Sequence, residues 1–127
     1  MDCIFCKISK NEIPSKTIYE DDLVKVFLDI NPISSGHMLI IPKKHYSDFL
    51  ELDEKINNHI HKISKDISNL LIKKLNPDGL RLITNYGINQ DVKHYHLHII
   101  PSYKAKDNIS NVDDIFNKLI KWKNSLS

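Results

Sequence analysis

The chain has 127 residues, enough for one ordinary domain with a real core and too few for two. Its 41% hydrophobic and 27% charged residues, with 3 Gly and 5 Pro, exclude disorder, and no apolar run approaches the roughly 20 residues of a membrane span. A net charge of +2 implies neither nucleic acid nor a membrane surface, and MDCIFCKISK lacks the basic-then-apolar start of a signal peptide, so the expected setting is cytoplasmic.

In chain order, Cys3-Ile4-Phe5-Cys6 comes first. A C-x-x-C pair in such a chain is a metal knuckle, a redox pair or two buried free thiols. The redox reading expects a preceding strand of a βαβ unit, and none is present. Zinc needs two more ligands, and the chain has seven histidines. Residues 17–20 (TIYE) and 23–28 (LVKVFL) predict a β-hairpin around Asp21-Asp22. Asp29 follows at the strand end, where its carboxylate either accepts hydrogen bonds or forms a plain turn. HMLIIP (37–42) predicts a buried strand ended by Pro42, with His37 opening it and His45 just beyond.

Between Asp53 and Leu75 the apolar residues Ile56, Ile60, Ile63, Ile67, Leu70, Leu71 and Leu75 make one helical stripe. Asp53 caps its start and Asn76-Pro77 stops it, while His59 and His61 lie off the stripe and face solvent. Leu80–Asn85 and His94–Ile100 predict two more strands joined by a short loop around Gly87. Val112, Ile115, Phe116, Leu119 and Trp122 mark a shorter helix, over about 112–125. Strands before and after one long helix, the last pair joined too tightly for a crossover, predict the α+β class. The expectation is an antiparallel sheet of about five strands in a single domain over 1–127.

HYHLHII (94–100) concentrates the chemistry. On a strand, His94, His96 and His98 share one face, with roughly 6.5–7 Å between neighbours and about 13 Å between the outer pair. Three rings so placed do not converge on one ion, so the histidines divide the work. Arg81 is the only arginine, so any bound phosphate is held by backbone N–H, imidazole, lysine or hydroxyl groups instead of an arginine fork.

CIFCKISKNEIP, DINP, GHMLIIPKKH, the Asn85-Tyr86-Gly87…Gln90-Asp91 run and HYHLHII, in this order, resemble the histidine-triad (HIT) family, in its Hint-like branch with an amino-terminal cysteine pair. The likeness spans about residues 3–103. It implies an α+β homodimer with a purine nucleotide site in each subunit. It further implies that His96 is the nucleophile at the α-phosphorus, His98 the donor to phosphate oxygens and His37 their support. Asp29 would take the ribose hydroxyls, Phe5, Ile8, Phe27 and Ile30 the base, and Asn85 and Gln90 the phosphate side. Cys3, Cys6, His45 and His94 would hold a structural zinc. The implied activity is a purine nucleoside phosphoramidase, with a dinucleoside polyphosphate hydrolase or a nucleotide-binding adaptor as alternatives. Two departures stand out. The 87–90 loop is about two residues short. Asp91 occupies a position where relatives often carry serine or threonine, and a carboxylate there repels phosphate but suits a cationic leaving group.

Overall fold

A computed structural model describes residues 3–105 and 109–120. Strands β1 (Thr17–Glu20), β2 (Val24–Leu28), β3 (Met38–Pro42), β4 (Gly79–Ile83) and β5 (Leu97–Ser102) form one sheet in the order β1-β2-β3-β5-β4. Every neighbouring pair is antiparallel. Helix α1 (Ile4–Ser9) precedes the sheet, α2 (Glu54–Leu75) interrupts it and α3 (Val112–Leu119) follows. The α+β expectation therefore holds, with five antiparallel strands.

Alternation along the strands sorts side chains onto two faces. Val24, Val26, Leu28, Met38, Ile40 and Ile99 join Ile60, Ile63, Ile67, Leu70 and Leu71 of α2 and Ile115 and Leu119 of α3 in the main core. Ile67 and Leu71 are fully buried, and each such side chain contributes about 1.5–3 kcal/mol. On the other face, Phe27, Leu39 and Ile41 meet Cys3, Phe5 and Ile8 of the α1 segment. This second, smaller cluster floors the functional site.

Local chemistry sets the element ends. Asp53 caps α2 by accepting from the N–H groups of Lys55 and Ile56, and Asn76 ends it in the left-handed region, as the sequence predicts. Gly36, at φ 92°, turns the chain into β3 where a Cβ would lie 2.6 Å from Leu75 Cδ1, so both the backbone and the closeness of α2 require glycine.

Four expectations need correction. β5 begins at Leu97, so His94 and His96 lie in the segment that leads into it. There the Tyr95 N–H donates to Tyr46 O, beyond the end of β3, instead of joining the ladder. The strand before it ends at Ile83 instead of Asn85. A third helix, α1, carries the cysteine motif; six residues are too few for periodicity to reveal it. His59 is half-buried, with Nε2 2.6 Å from Asp21 Oδ2, so it ties α2 to the β1–β2 turn. Trp122 and the 121–125 part of the last predicted helix lie outside the described residues.

Candidate functional site

The amino-terminal helix is held by unusual means for so short an element. Cys3 caps it through sulfur, accepting from the Cys6 N–H at 3.3 Å. Lys25, buried in β2, donates from Nζ to the Ile8 carbonyl at 3.0 Å and to Asn11 Oδ1, tying down the other end. Nothing in the sequence reading singled out Lys25. The signal was available, because Lys25 and Phe27 are two apart on one strand and so share the cleft face.

A cleft of about 250 Å³ opens between α1 and the sheet. Phe5, Ile8, Phe27, Asp29 and Ile30 line it together with His96 and His98. Ile4, Ile13, Leu39 and Val92 add apolar lining that the sequence reading did not name. Phe5 stands edge-on to both Phe27 and His96, at centroid distances of 5.8 and 5.0 Å. Asn85 and Gln90 do not line this cleft. Gln90 is 6% exposed and donates from Nε2 to Ser47 O at 2.6 Å, so its amide fastens one loop to another.

Hydrogen-bond partners fix the histidine tautomers, because a carbonyl only accepts and an amide N–H only donates. His96 Nδ1 lies 2.8 Å from His94 O, so Nδ1 carries the proton and Nε2 keeps a bare lone pair. That carbonyl belongs to the chain two residues upstream, which requires the irregular segment that precedes β5. The Ile33 N–H donates to His37 Nδ1 at 3.1 Å, so the neutral His37 ring is protonated at Nε2. His37 Nε2 meets His98 Nδ1 at 2.9 Å, which leaves the neutral His98 ring with its N–H at Nε2. A bare imidazole nitrogen and an imidazole N–H thus stand side by side, their ring centroids 4.9 Å apart. One can attack and the other can donate.

Burial favours the neutral forms of His98 and His37. His98 is pushed down to about 4, first by desolvation and then by the neighbouring His96 and His37. Desolvation also lowers His37, against a smaller opposing pull from Asp29, whose Oδ2 lies 3.7 Å from His37 Nε2. Asp29 Oδ1 accepts from the Asn31 N–H at 2.8 Å, so one of its oxygens is committed to the turn.

His94 points elsewhere. Its Nε2 lies 2.8 Å from Pro42 O and so carries the proton, which turns a bare Nδ1 toward the thiols. That Nδ1 is 3.3 Å from Cys3 Sγ, 3.5 Å from Cys6 Sγ and 3.2 Å from His45 Nδ1. Cys6 Sγ is 3.2 Å from His45 Nδ1, and all four donor atoms lie within 4.8 Å of one another. Burial, followed by the Cys3 contact, raises the Cys6 thiol to about 11, so without a cation there it stays protonated. Two sulfurs and two imidazole nitrogens at these separations suit a tetrahedral metal, with the Pro42 carbonyl orienting one ligand. The structure places His94 at the sulfur cluster and His96 and His98 at the cleft.

A five-stranded antiparallel sheet with this alternating histidine run beside a cleft defines the histidine-triad class of α+β domains. Residues 10–105 match the HIT domain, and the chain belongs to that family. It is 43% identical over 118 residues to a HIT-like protein of Methanocaldococcus jannaschii, covering 91% of this chain and 90% of that one. It is 40% identical over 103 residues to the adenosine 5′-monophosphoramidase hnt1 of Schizosaccharomyces pombe, covering 80% of this chain and 74% of that one. A Zn-bound histidine triad family protein of Mycobacterium smegmatis superposes with a TM-score of 0.89 at 28% identity, over 99% of this chain and 96% of that one. Among the described residues, no helix is long and apolar enough to cross a membrane.

Proposed function

We propose that the protein hydrolyses the P–N bond of purine nucleoside 5′-phosphoramidates through a nucleotidyl-histidine on His96. The observation that carries this reading is the bare Nε2 of His96, fixed by the His94 carbonyl and facing the cleft beside the His98 N–H. The Nε2 lone pair forms a bond to the α-phosphorus, the P–N bond of the substrate breaks, and the nitrogen departs as an amine. His98 donates a hydrogen bond to the phosphoryl oxygens, in which negative charge builds up. It does not surrender that proton, because a neutral ring that did so would become imidazolate. The departing nitrogen therefore takes its proton from water at the open mouth. A water oxygen then bonds to phosphorus as its proton passes to the hydroxide left by the first step, the His96–phosphorus bond breaks, and the nucleoside monophosphate leaves with the neutral ring restored.

Asp29 is the ribose ligand in this reading, and Phe5, Ile8, Phe27 and Ile30 hold the base by apolar contact. Cys3, Cys6, His45 and His94 hold a structural zinc, which supplies a cross-link between α1 and the sheet and no step of the reaction. The subunit pairs with a second copy through α2 and the edge strand β4, where Ile72 and Leu82 are about half exposed. Likeness to a named adenosine 5′-monophosphoramidase favours a nitrogen leaving group over a polyphosphate. Nucleoside monophosphate release from adenosine 5′-phosphoramidate and from a diadenosine polyphosphate, measured side by side, tests the reading. The phosphoramidate should be the better substrate by kcat/KM, and the reverse order would make the protein a dinucleoside polyphosphate hydrolase.

A further inference from the structure

We propose that Asp91 selects substrates whose leaving group carries a positive charge, so that the preferred phosphoramidates are those of amines bearing a further ammonium. The inference rests on the phosphoramidase reading and adds the substrate class to it.

Asp91 lines the cleft although its side chain is 82% exposed, and its Oδ1 lies 3.5 Å from His96 Nε2. With the His96 proton on Nδ1, that contact joins two acceptors and no donor. Among the described residues, no lysine or arginine pairs with Asp91. Lys93, two residues on, instead donates to Gly87 O at 2.6 Å.

The charge balance of the cleft points the same way. Asp29 and Asp91 are the charged residues among its described lining, and no lysine or arginine is present there, in a chain with 18 of them. Burial disfavours the charged forms of His37 and His98, so those two imidazoles do not offset the carboxylates. Asp29 has one oxygen on the Asn31 N–H and the other near His37, which leaves Asp91 as the uncommitted carboxylate at the mouth. A nucleoside phosphoryl group is already anionic. An anionic leaving group adds repulsion with nothing to relieve it, whereas an ammonium arm meets Asp91 and lowers the net charge brought into the cleft. Because Asp91 is so exposed, salt should screen the effect.

The test uses three adenosine 5′-phosphoramidates with the same short arm, ending in ammonium, methyl or carboxylate. At low ionic strength the wild-type protein should favour ammonium over methyl about tenfold in kcat/KM, the scale of one hydrogen bond to a charged group. It should disfavour carboxylate relative to methyl. In Asp91→Asn both ratios should fall toward one, and in Asp91→Lys the order should invert. Damage to the fold lowers all three arms together and leaves the ratios alone, so the ratios report charge. Turnover with ratios that Asp91→Asn and Asp91→Lys do not move would overturn the Asp91 assignment alone. No turnover on any arm would overturn the phosphoramidase reading along with it.

Discussion

At the scale of residues, two features of the site lead to measurements. Asp29 faces the cleft with one oxygen held by its own turn, so a bound ribose would find a fixed acceptor. Asp29→Ala should raise KM for ribonucleotide substrates by the worth of a hydrogen-bonded pair, about 0.5–3 kcal/mol. The effect should shrink for analogues lacking both ribose hydroxyls, and an equal loss for both would assign Asp29 to the fold. The lowered histidines give a second measurement. Folded His98 takes up a proton only near pH 4, and burial lowers His37 as well, whereas an unfolded imidazole titrates near 6.5. Between those values the unfolded chain binds more protons, so stability is present above about pH 6.5 and falls as pH drops toward 4. Urea unfolding at pH 7, 6 and 5, above the range where ordinary carboxylates titrate, should give a decreasing free energy. A flat or rising series would mean that these rings are not held neutral.

At the scale of elements, the decisive one is α1, a helix of 6 residues that brings Phe5 and Ile8 to the cleft and both cysteines to His45 and His94. A helix this short is not stable by itself in water, so its place depends on Lys25, on the second core cluster and on the metal we assign. Removing the metal should therefore loosen the roof of the cleft before it affects the histidines. Protein purified without chelator should contain about one zinc per chain, and chelation should lower its Tm. Cys3→Ser with Cys6→Ser should reproduce that loss and keep measurable turnover at low temperature. Instant loss of turnover on chelation, with near-UV circular dichroism unchanged, would make the metal catalytic. The long elements were legible because their patterns are long: the stripe of α2 and its Asp53 and Asn76 ends appear in the structure as read. What stayed hidden is short or non-local. The α1 helix is below the length at which periodicity speaks. The start of β5 was placed three residues early, because the Tyr95-to-Tyr46 bond that takes the chain out of the ladder joins residues 49 apart.

At the scale of the whole molecule, the sheet sorts two kinds of chemistry along one stretch of seven residues. Behind it α2 and α3 close the main core, and in front α1 leaves a cleft between the thiol cluster and Asp29. The grouping of Cys3, Cys6, His45 and His94, and the presence of Asp29, Phe5, Ile8, Phe27 and Ile30 around His96 and His98, were legible as motifs. Gln90 shows the limit of that legibility, since a polar residue near a site in sequence can spend a hydrogen bond on a loop. The tautomers of His37, His94 and His98 were out of reach for another reason: they depend on the Ile33 amide and on the Pro42 carbonyl, which no motif specifies.

The central claim is that His96 Nε2 becomes covalently bound to phosphorus during turnover. The most direct measurement mixes the protein with adenosine 5′-phosphoramidate, quenches in alkali within the first turnover, and locates any adduct by peptide mass spectrometry. An adenylyl group should appear on His96, rise and decay. His96→Ala should show neither adduct nor turnover while still binding nucleotide within about tenfold of wild type. An adenylyl group on a different residue, or full turnover in His96→Ala, would contradict the claim.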